Sequence, residues 1–164
     1  MKRITKLITV LCLFLALLTV FTACEASKSE KTFSGSGFSI TLDNSFYEKE
    51  LVSLTAYYES TKMIVTVLKE EFSLFEGYVV VNSLAEYAEL VISANGLENI
   101  TASEKDGVTY FEYEKTVSGK DYKYYATVHK GSDAFWLVQF ACETKNYDDL
   151  KADMETYAKS FKAE

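Results

Sequence analysis

Three reversals cut the stretch from Ile100 to Glu143 into four strand-like runs, and reversals this short leave an antiparallel meander as the arrangement open to the chain. Asp106-Gly107 is a pair that tolerates the positive φ angles of a type I′ hairpin. With those residues as the loop, Lys105 pairs Val108, Ala102 pairs Phe111 and Ile100 pairs Tyr113. With Gly119-Lys120 as the next loop, Val117 faces Tyr122, Lys115 faces Tyr124, Tyr113 faces Ala126 and Phe111 faces Val128. Side chains alternate along a strand, so both registers send Ile100, Ala102, Phe111, Tyr113, Val117, Tyr122, Tyr124, Ala126 and Val128 to one face. The other face receives Thr101, Ser103, Tyr110, Glu112, Glu114, Lys123, Tyr125, Thr127 and His129.

The third reversal, Gly131-Ser132-Asp133, admits two registers. A two-residue loop places Phe135, Leu137, Gln139 and Ala141 on the apolar side; a three-residue loop places Trp136, Val138, Phe140 and Cys142 there. The second is preferred, because burying Gln139 without a partner costs about 1–3 kcal/mol while Trp136 and Phe140 gain by burial. Ala134 to Ala141 is almost wholly apolar, which predicts a central strand covered on both sides.

The remaining elements are read in chain order. Phe38-Ser39-Ile40-Thr41-Leu42 alternates as a first strand and ends at Asp43-Asn44-Ser45. Leu54 to Ser60 and Met63 to Glu70 form a strand pair turning at Ser60-Thr61. Tyr47 to Ser53 has no clear pattern, and Phe72 to Val81 stays open between a loop and a short edge strand. Ser83 and Glu86 make a capping box for a helix whose buried stripe is Leu84, Tyr87, Ala88 and Val91, ended by Asn95-Gly96. A second helix carries the stripe Tyr147, Leu150, Met154, Tyr157 and Phe161. Asp148 and Asp149 at its start and Lys159 and Lys162 at its end suit the helix dipole, and Glu155 with Lys159 is a favourable pair. The fold class is therefore α+β, an antiparallel β-sheet meander covered by two amphipathic helices.

The N-terminus has another character. Met1 to Lys6 is basic, Leu7 to Val20 is an apolar run broken only by Thr9, Cys12 and Thr19, and Phe21-Thr22-Ala23-Cys24 follows. That is the layout of a secretory signal. It resembles the lipobox of bacterial lipoproteins, although Phe21 stands where that family usually has leucine. The resemblance implies a diacylglyceryl group on the Cys24 thiol and cleavage just before it. Residues 1–23 are thus expected to be a signal peptide, and residues 24–37 a lipidated cysteine with a polar, glycine-dotted tether. Residues 38–164 form the folded domain. The implied location is extracytoplasmic, lipid-anchored to the cell membrane.

Charge narrows the partners. Of 17 basic residues three, Lys2, Arg3 and Lys6, lie in the leader, so 14 remain against 24 acidic ones and the processed chain carries −10. Arg3 is the only arginine. An acidic chain without that planar fork is a poor partner for nucleic acid or anionic surfaces. Cysteine usage offers no disulfide framework, since Cys12 is in the leader and Cys24 takes lipid; Cys142 reads as a small core hydrophobe.

The run Gly37-Phe38-Ser39-Ile40-Thr41-Leu42, the aromatic meander between two helices and the closing Tyr157-Ala158-Lys159-Ser160-Phe161 resemble the PsbP/DcrB-like superfamily of α/β sandwiches. Members often carry proline after the first strand, where this chain has Asp43. The resemblance implies an antiparallel sheet with helices packed on it. It implies no site residue, because members do unrelated things.

No catalytic constellation emerges. His129 is the single histidine and cannot build a nucleophile pair or a metal site alone, so no cofactor and no metal is expected. The polar meander face, with Tyr110, Glu112, Tyr125, Thr127 and His129, is the candidate docking surface for an envelope protein or a small polar ligand. The expected function is thus a non-catalytic binding or accessory module. The alternative is a small envelope hydrolase using Glu112 and Glu114, carboxylates about 7 Å apart on one strand face.

Overall fold

A computed structural model describes residues 29–164. The expected signal peptide, Cys12 and Cys24, the expected lipidation site, lie outside the described residues. Ten strands, β1 (Glu30–Gly35), β2 (Phe38–Asp43), β3 (Tyr47–Lys49), β4 (Ala56–Glu59), β5 (Ile64–Glu71), β6 (Ser103–Lys105), β7 (Val108–Val117), β8 (Lys120–Lys130), β9 (Ala134–Glu143) and β10 (Lys162–Ala163), form two antiparallel sheets. The large sheet runs β3-β4-β5-β9-β8-β7-β6 and the small one β1-β2-β10. The helices are α1 (Leu84–Ala94) and α2 (Tyr147–Ser160).

The meander forms with the expected strand order, but two of its three hairpins take another register. Asp106 and Gly107 both have positive φ, and Lys105 pairs Val108. The next turn is Ser118-Gly119, again with both φ values positive, so Val117 pairs Lys120 rather than facing Tyr122. A type I′ turn needs positive φ at both central positions, and glycine in the second relieves it as in Asp106-Gly107. The correction shifts the pairing by two residues, so Tyr113 lies opposite Tyr124 and Phe111 opposite Ala126. A slip of two leaves every side chain on its expected face. The first hairpin is also shorter than expected: the Ala102 amide donates to Glu89 of α1 at 2.9 Å, and Ile100 and Ala102 pack on the core from outside the ladder.

The last hairpin takes the register that was set aside. Gly131 donates to the Ala134 carbonyl around Ser132-Asp133, and Ala126 pairs Gln139. Phe135, Leu137, Gln139 and Ala141 therefore share the face of Phe111 and Val128. The argument against this register assumed an unpartnered Gln139. Instead Gln139 Nε2 donates to the Tyr113 hydroxyl at 2.8 Å and its Oε1 accepts from Thr66 Oγ1 at 3.3 Å. Strand β9 is central and buried along nearly its whole length, as its apolar run predicts.

Each face of the large sheet has its own cover. Helix α1 sets Tyr87, Ala88, Val91 and Ile92 on Phe111, Ala126, Val128, Phe135 and Leu137. Its cap is Ser83, whose Oγ accepts from the Glu86 amide at 3.1 Å; the Glu86 carboxylate turns to the Asn82 amide instead of closing the box. On the opposite face α2 and the small sheet enclose the larger core, built around Trp136, Val138, Phe140, Tyr58, Val65, Met154 and Phe38. Glu155 and Lys159 do not pair with each other: Lys105 binds both Glu155 oxygens at 2.8 Å, and Lys159 binds Asp106 at 2.6 Å. These contacts clamp the first hairpin turn onto α2.

The domain starts earlier than the composition suggested. Glu30–Gly35 pairs with β2 around Ser36-Gly37, and Phe33 is buried with its ring 4.5 Å from that of Tyr58. The second half of the expected tether is thus a strand. Its one aromatic residue, Phe33, supplies the burial that Ser, Gly and Lys neighbours cannot. The segment left undecided, from Phe72, is a single turn of 3-10 helix over Phe72–Leu74 followed by loop.

Candidate functional site

The face expected to dock a partner is the bed of α2. Tyr125 and Thr127 are 2% and 0% exposed, and Tyr110 packs on Tyr125 with ring centroids 5.0 Å apart. His129 stands opposite Trp136, shares a hydrogen bond with Thr127 between Nε2 and Oγ1 at 3.0 Å, and lies 4.6 Å from the Phe161 ring. Burial holds its pKa down to about 4, so the imidazole is neutral at physiological pH. The polar groups on this face find partners within the fold, Thr127 and His129 in each other and Glu112 in the helix above.

Glu112 shows how. Its carboxylate accepts from Lys151 at 2.6 Å and from the Tyr147 hydroxyl at 2.8 Å, while Lys123 lies 3.9 Å from both Glu112 and Glu114. Burial raises the Glu112 pKa, but the bonds from Lys151 and Tyr147 and the two lysine charges outweigh it and hold the net value below the usual range. A hydrolase acid needs the opposite shift, a carboxyl kept protonated. Glu112 anchors the first turn of α2. Cys142 is buried in the same core, and burial pushes its thiol up to about 11, the character of an unreactive packing residue. Among the described residues no three His, Cys, Asp or Glu side chains come together as a metal site.

The other sheet face offers a different arrangement. Helix α1 occupies only the end that holds Phe111, Ala126, Val128, Phe135 and Leu137. Toward the opposite end, strand pairing sets Lys49, Tyr57, Thr66 and Gln139 in one row, and Tyr47, Glu59, Ile64, Ala141, Tyr124 and Tyr113 in the next. The cluster here, Tyr122, Tyr124 and Ala141 with Tyr113 and Val117 beside it, consists of strand residues alone. Tyr113 and Tyr124 stack at 4.5 Å with planes 6° apart. Burial raises the Tyr57 and Tyr124 pKa values, so both stay neutral hydroxyls. At the edge Lys49 donates to Glu59 at 2.7 Å, and the Tyr57 hydroxyl to the same oxygen at 3.3 Å.

Thr66, Gln139 and Tyr113 thus form a half-buried chain of hydrogen bonds across a tyrosine-rich floor. A primary amide has two donors and two acceptor lone pairs, and these bonds use one of each on Gln139. Such a strip can hold a polar group between aromatic walls. Sequence reasoning assigned the tyrosines to the apolar face and turned Gln139 away from them. The missed signal was Gln139 itself, a lone amide in an apolar strand.

No family model and no curated protein sequence matches this chain. Solved structures do match. Cyanobacterial PsbP (CyanoP) from Synechocystis sp. PCC 6803 aligns at a TM-score of 0.54 and 13% identity, over 87% of this chain and 98% of that one. A protein from Bacteroides thetaiotaomicron aligns at 0.58 and 11% identity over 82% of this chain, which spans 48% of that longer protein. LpqN of Mycobacterium tuberculosis, involved in cell envelope biogenesis, aligns at 0.46 and 10% identity over 84% of this chain and 91% of that one. The first two likenesses show the fold: antiparallel sheets with two helices in a PsbP-like α+β arrangement.

Proposed function

We propose that the chain is an extracytoplasmic lipoprotein, held to a membrane through a diacylglyceryl group on Cys24, and that its domain is a non-catalytic binding or accessory module. The basic start, the apolar run Leu7 to Val20 and Phe21-Thr22-Ala23-Cys24 support the anchor. The Gln139–Tyr113 hydrogen bond carries the binding reading, because it holds a donor-bearing amide among tyrosines on the part of the sheet that α1 leaves aside. Tyrosine supplies contact area at low entropic cost, and the amide supplies direction. The occupant fits a polar ligand or a peptide segment of an envelope partner, not nucleic acid, given the −10 charge left by 14 basic and 24 acidic residues in the processed chain.

The test is photo-crosslinking in intact cells from a photoreactive residue at Thr66 or at Gln139, with Asp149 on the outer face of α2 as the comparison. A discrete adduct from the sheet positions and none from Asp149 is expected. Identical adduct patterns from all three, or none from the sheet, would remove the face from consideration. Mass spectrometry of the native N-terminal peptide decides the anchor separately, by the presence or absence of diacylglyceryl on Cys24.

A further inference from the structure

Strand β7 is covered at one end and an edge at the other. Strand β6 pairs with Val108, Thr109 and Tyr110 alone, and beyond Tyr110 no strand of the described residues lies outside β7. The chain before β6 has the alternation to continue the ladder, but the Ala102 amide goes to Glu89 of α1 at 2.9 Å, and Ile100 and Ala102 pack into the α1 core. The turns decide which backbone groups this leaves open. A two-residue type I′ turn is closed by a hydrogen-bonded pair, and such pairs recur at every second residue. Val117 and Lys120 close one turn, so Val117, Lys115, Tyr113 and Phe111 bond to β8 while the amides and carbonyls of Thr116, Glu114 and Glu112 point outward. Lys105 and Val108 close the other turn and give the same parity. Among the described residues no backbone bond outside the ladders reaches those three.

Proteins blunt such edges with bulges, proline, brevity or charge. Here β7 pairs with β8 from Thr109 to Val117 without a bulge, and the chain contains no proline. Charge is what remains, and on the face toward α2 it has one sign. Glu112 is held there by Lys151 and Tyr147, and the side chain of Glu114 is 59% exposed with Lys123 3.9 Å away. This arrangement turns away a second copy of the chain. Two β7 strands related by a twofold axis pair antiparallel with matched faces only when the axis passes through a residue. An axis at Glu112 or Glu114 sets that glutamate against itself, one at Tyr113 sets Glu112 against Glu114, and one at Lys115 sets two lysines together.

We infer that the outer edge of β7 takes up an extended peptide segment of a partner, in which basic residues alternate with β-branched or aromatic ones, as a further strand of the large sheet. Residues of the added strand opposite Glu112 and Glu114 share their face, so those are the basic ones. The residue between them falls beside Tyr113 on the α1 face, where a β-branched or aromatic side chain pairs well. The basic residues are also the ones whose amides and carbonyls meet the outward groups of β7. Main-chain bonds hold the strand, and the glutamates select it. Tyr113 borders the sheet face around Gln139, but the inference needs neither the reading of that face nor the lipid anchor.

The probe is a synthetic peptide alternating lysine with valine, and the readout is amide hydrogen exchange of the full chain, held in a zwitterionic detergent and followed by NMR. Without peptide the amides of Glu112, Glu114 and Thr116 should exchange faster than those of Phe111, Tyr113 and Lys115, and the peptide should slow those three. Methylating the backbone nitrogens of its lysines should weaken binding by about tenfold or more, while methylating those of its valines should leave it nearly intact. Glu114→Gln should weaken binding, and a peptide alternating glutamate with valine should not bind. Equal affinity of the two methylated peptides would reduce the effect to charge attraction and overturn the inference, as would protection confined to other residues or none at all. Protection of the three amides that grows with protein concentration in the absence of peptide would show a second copy on the edge and overturn the choice of occupant.

Discussion

The Tyr157 hydroxyl, one turn from the end of α2, donates to Asp43 Oδ2 at the end of β2 at 2.8 Å. Asp43 also receives the Ser45 amide at 2.8 Å and the Ser45 hydroxyl, so one buried carboxylate ties helix, small sheet and the turn into β3 together. That carboxylate fixes the corner with three hydrogen bonds.

Tyr157→Phe should therefore lower unfolding stability by about 1–2 kcal/mol, and Asp43→Ala by more, because it strands the Tyr157 hydroxyl and frees the turn. Urea titrations of the two variants and of the double variant check this. Additive losses would mean that the two residues do not act through their shared bond.

His129 gives the fold an acid sensitivity whose sign is fixed. Its folded pKa, pushed down to about 4 by burial, lies below the ordinary 6.5, so the unfolded chain binds more protons between those values. Its share of stability is complete above pH 6.5 and is lost as pH falls toward 4. A shift of this size corresponds to a few kcal/mol at about 1.4 kcal/mol per unit. His129→Gln should flatten the dependence of the urea midpoint between pH 6.5 and 5, above the range where most carboxylates titrate. An unchanged slope would place the imidazole in water.

Glu70 has the opposite sign. Burial raises its pKa, and the Tyr87 hydroxyl that donates to it at 2.5 Å only partly offsets the effect. An acid with a raised folded pKa contributes stability below its unfolded pKa and loses it as pH rises through the folded value. Glu70→Gln keeps an acceptor for Tyr87 and removes the buried charge. The variant should be more stable than the parent at pH 7, and the gain should vanish near pH 4. A loss at pH 7 would show that the charge strengthens the Tyr87 bond by more than burial costs.

Most of the architecture is legible in the sequence because period-two alternation and Asp-Gly turns report local geometry. Faces survive an error of two residues, as at Ser118-Gly119, but not an error of one. The last hairpin failed on Gln139, whose partners Thr66 and Tyr113 lie 73 and 26 residues away in the chain. No local pattern announces such a bond. The expected docking face failed for the same reason, since Glu112 looks free until Tyr147 and Lys151 arrive from α2. Strand β1 has the composition of a tether because its burial rests on a single ring, Phe33, among five small or polar neighbours.

Gly131 and Gly35 form a matched pair for the last prediction. A Cβ on Gly131 would lie 2.8 Å from the Glu164 carbonyl oxygen, 3.0 Å from Trp136 Nε1 and 3.3 Å from Ala163 Cβ. The indole cannot step aside, because Phe38 and Phe161 hold it at ring distances of 5.4 and 5.8 Å. Gly131→Ala should therefore cost about 1–3 kcal/mol through overpacking. It should also loosen β10 and shift the emission of Trp136, the single tryptophan of the chain. A Cβ on Gly35, in β1, meets nothing within 4 Å, and the backbone there is not left-handed. Gly35→Ala should then be neutral or stabilise by about 0.4–1 kcal/mol, by restricting the unfolded chain. Thermal melts followed by Trp136 fluorescence separate the two, and equal effects would mean that the end of β10 does not pack on the Gly131 turn.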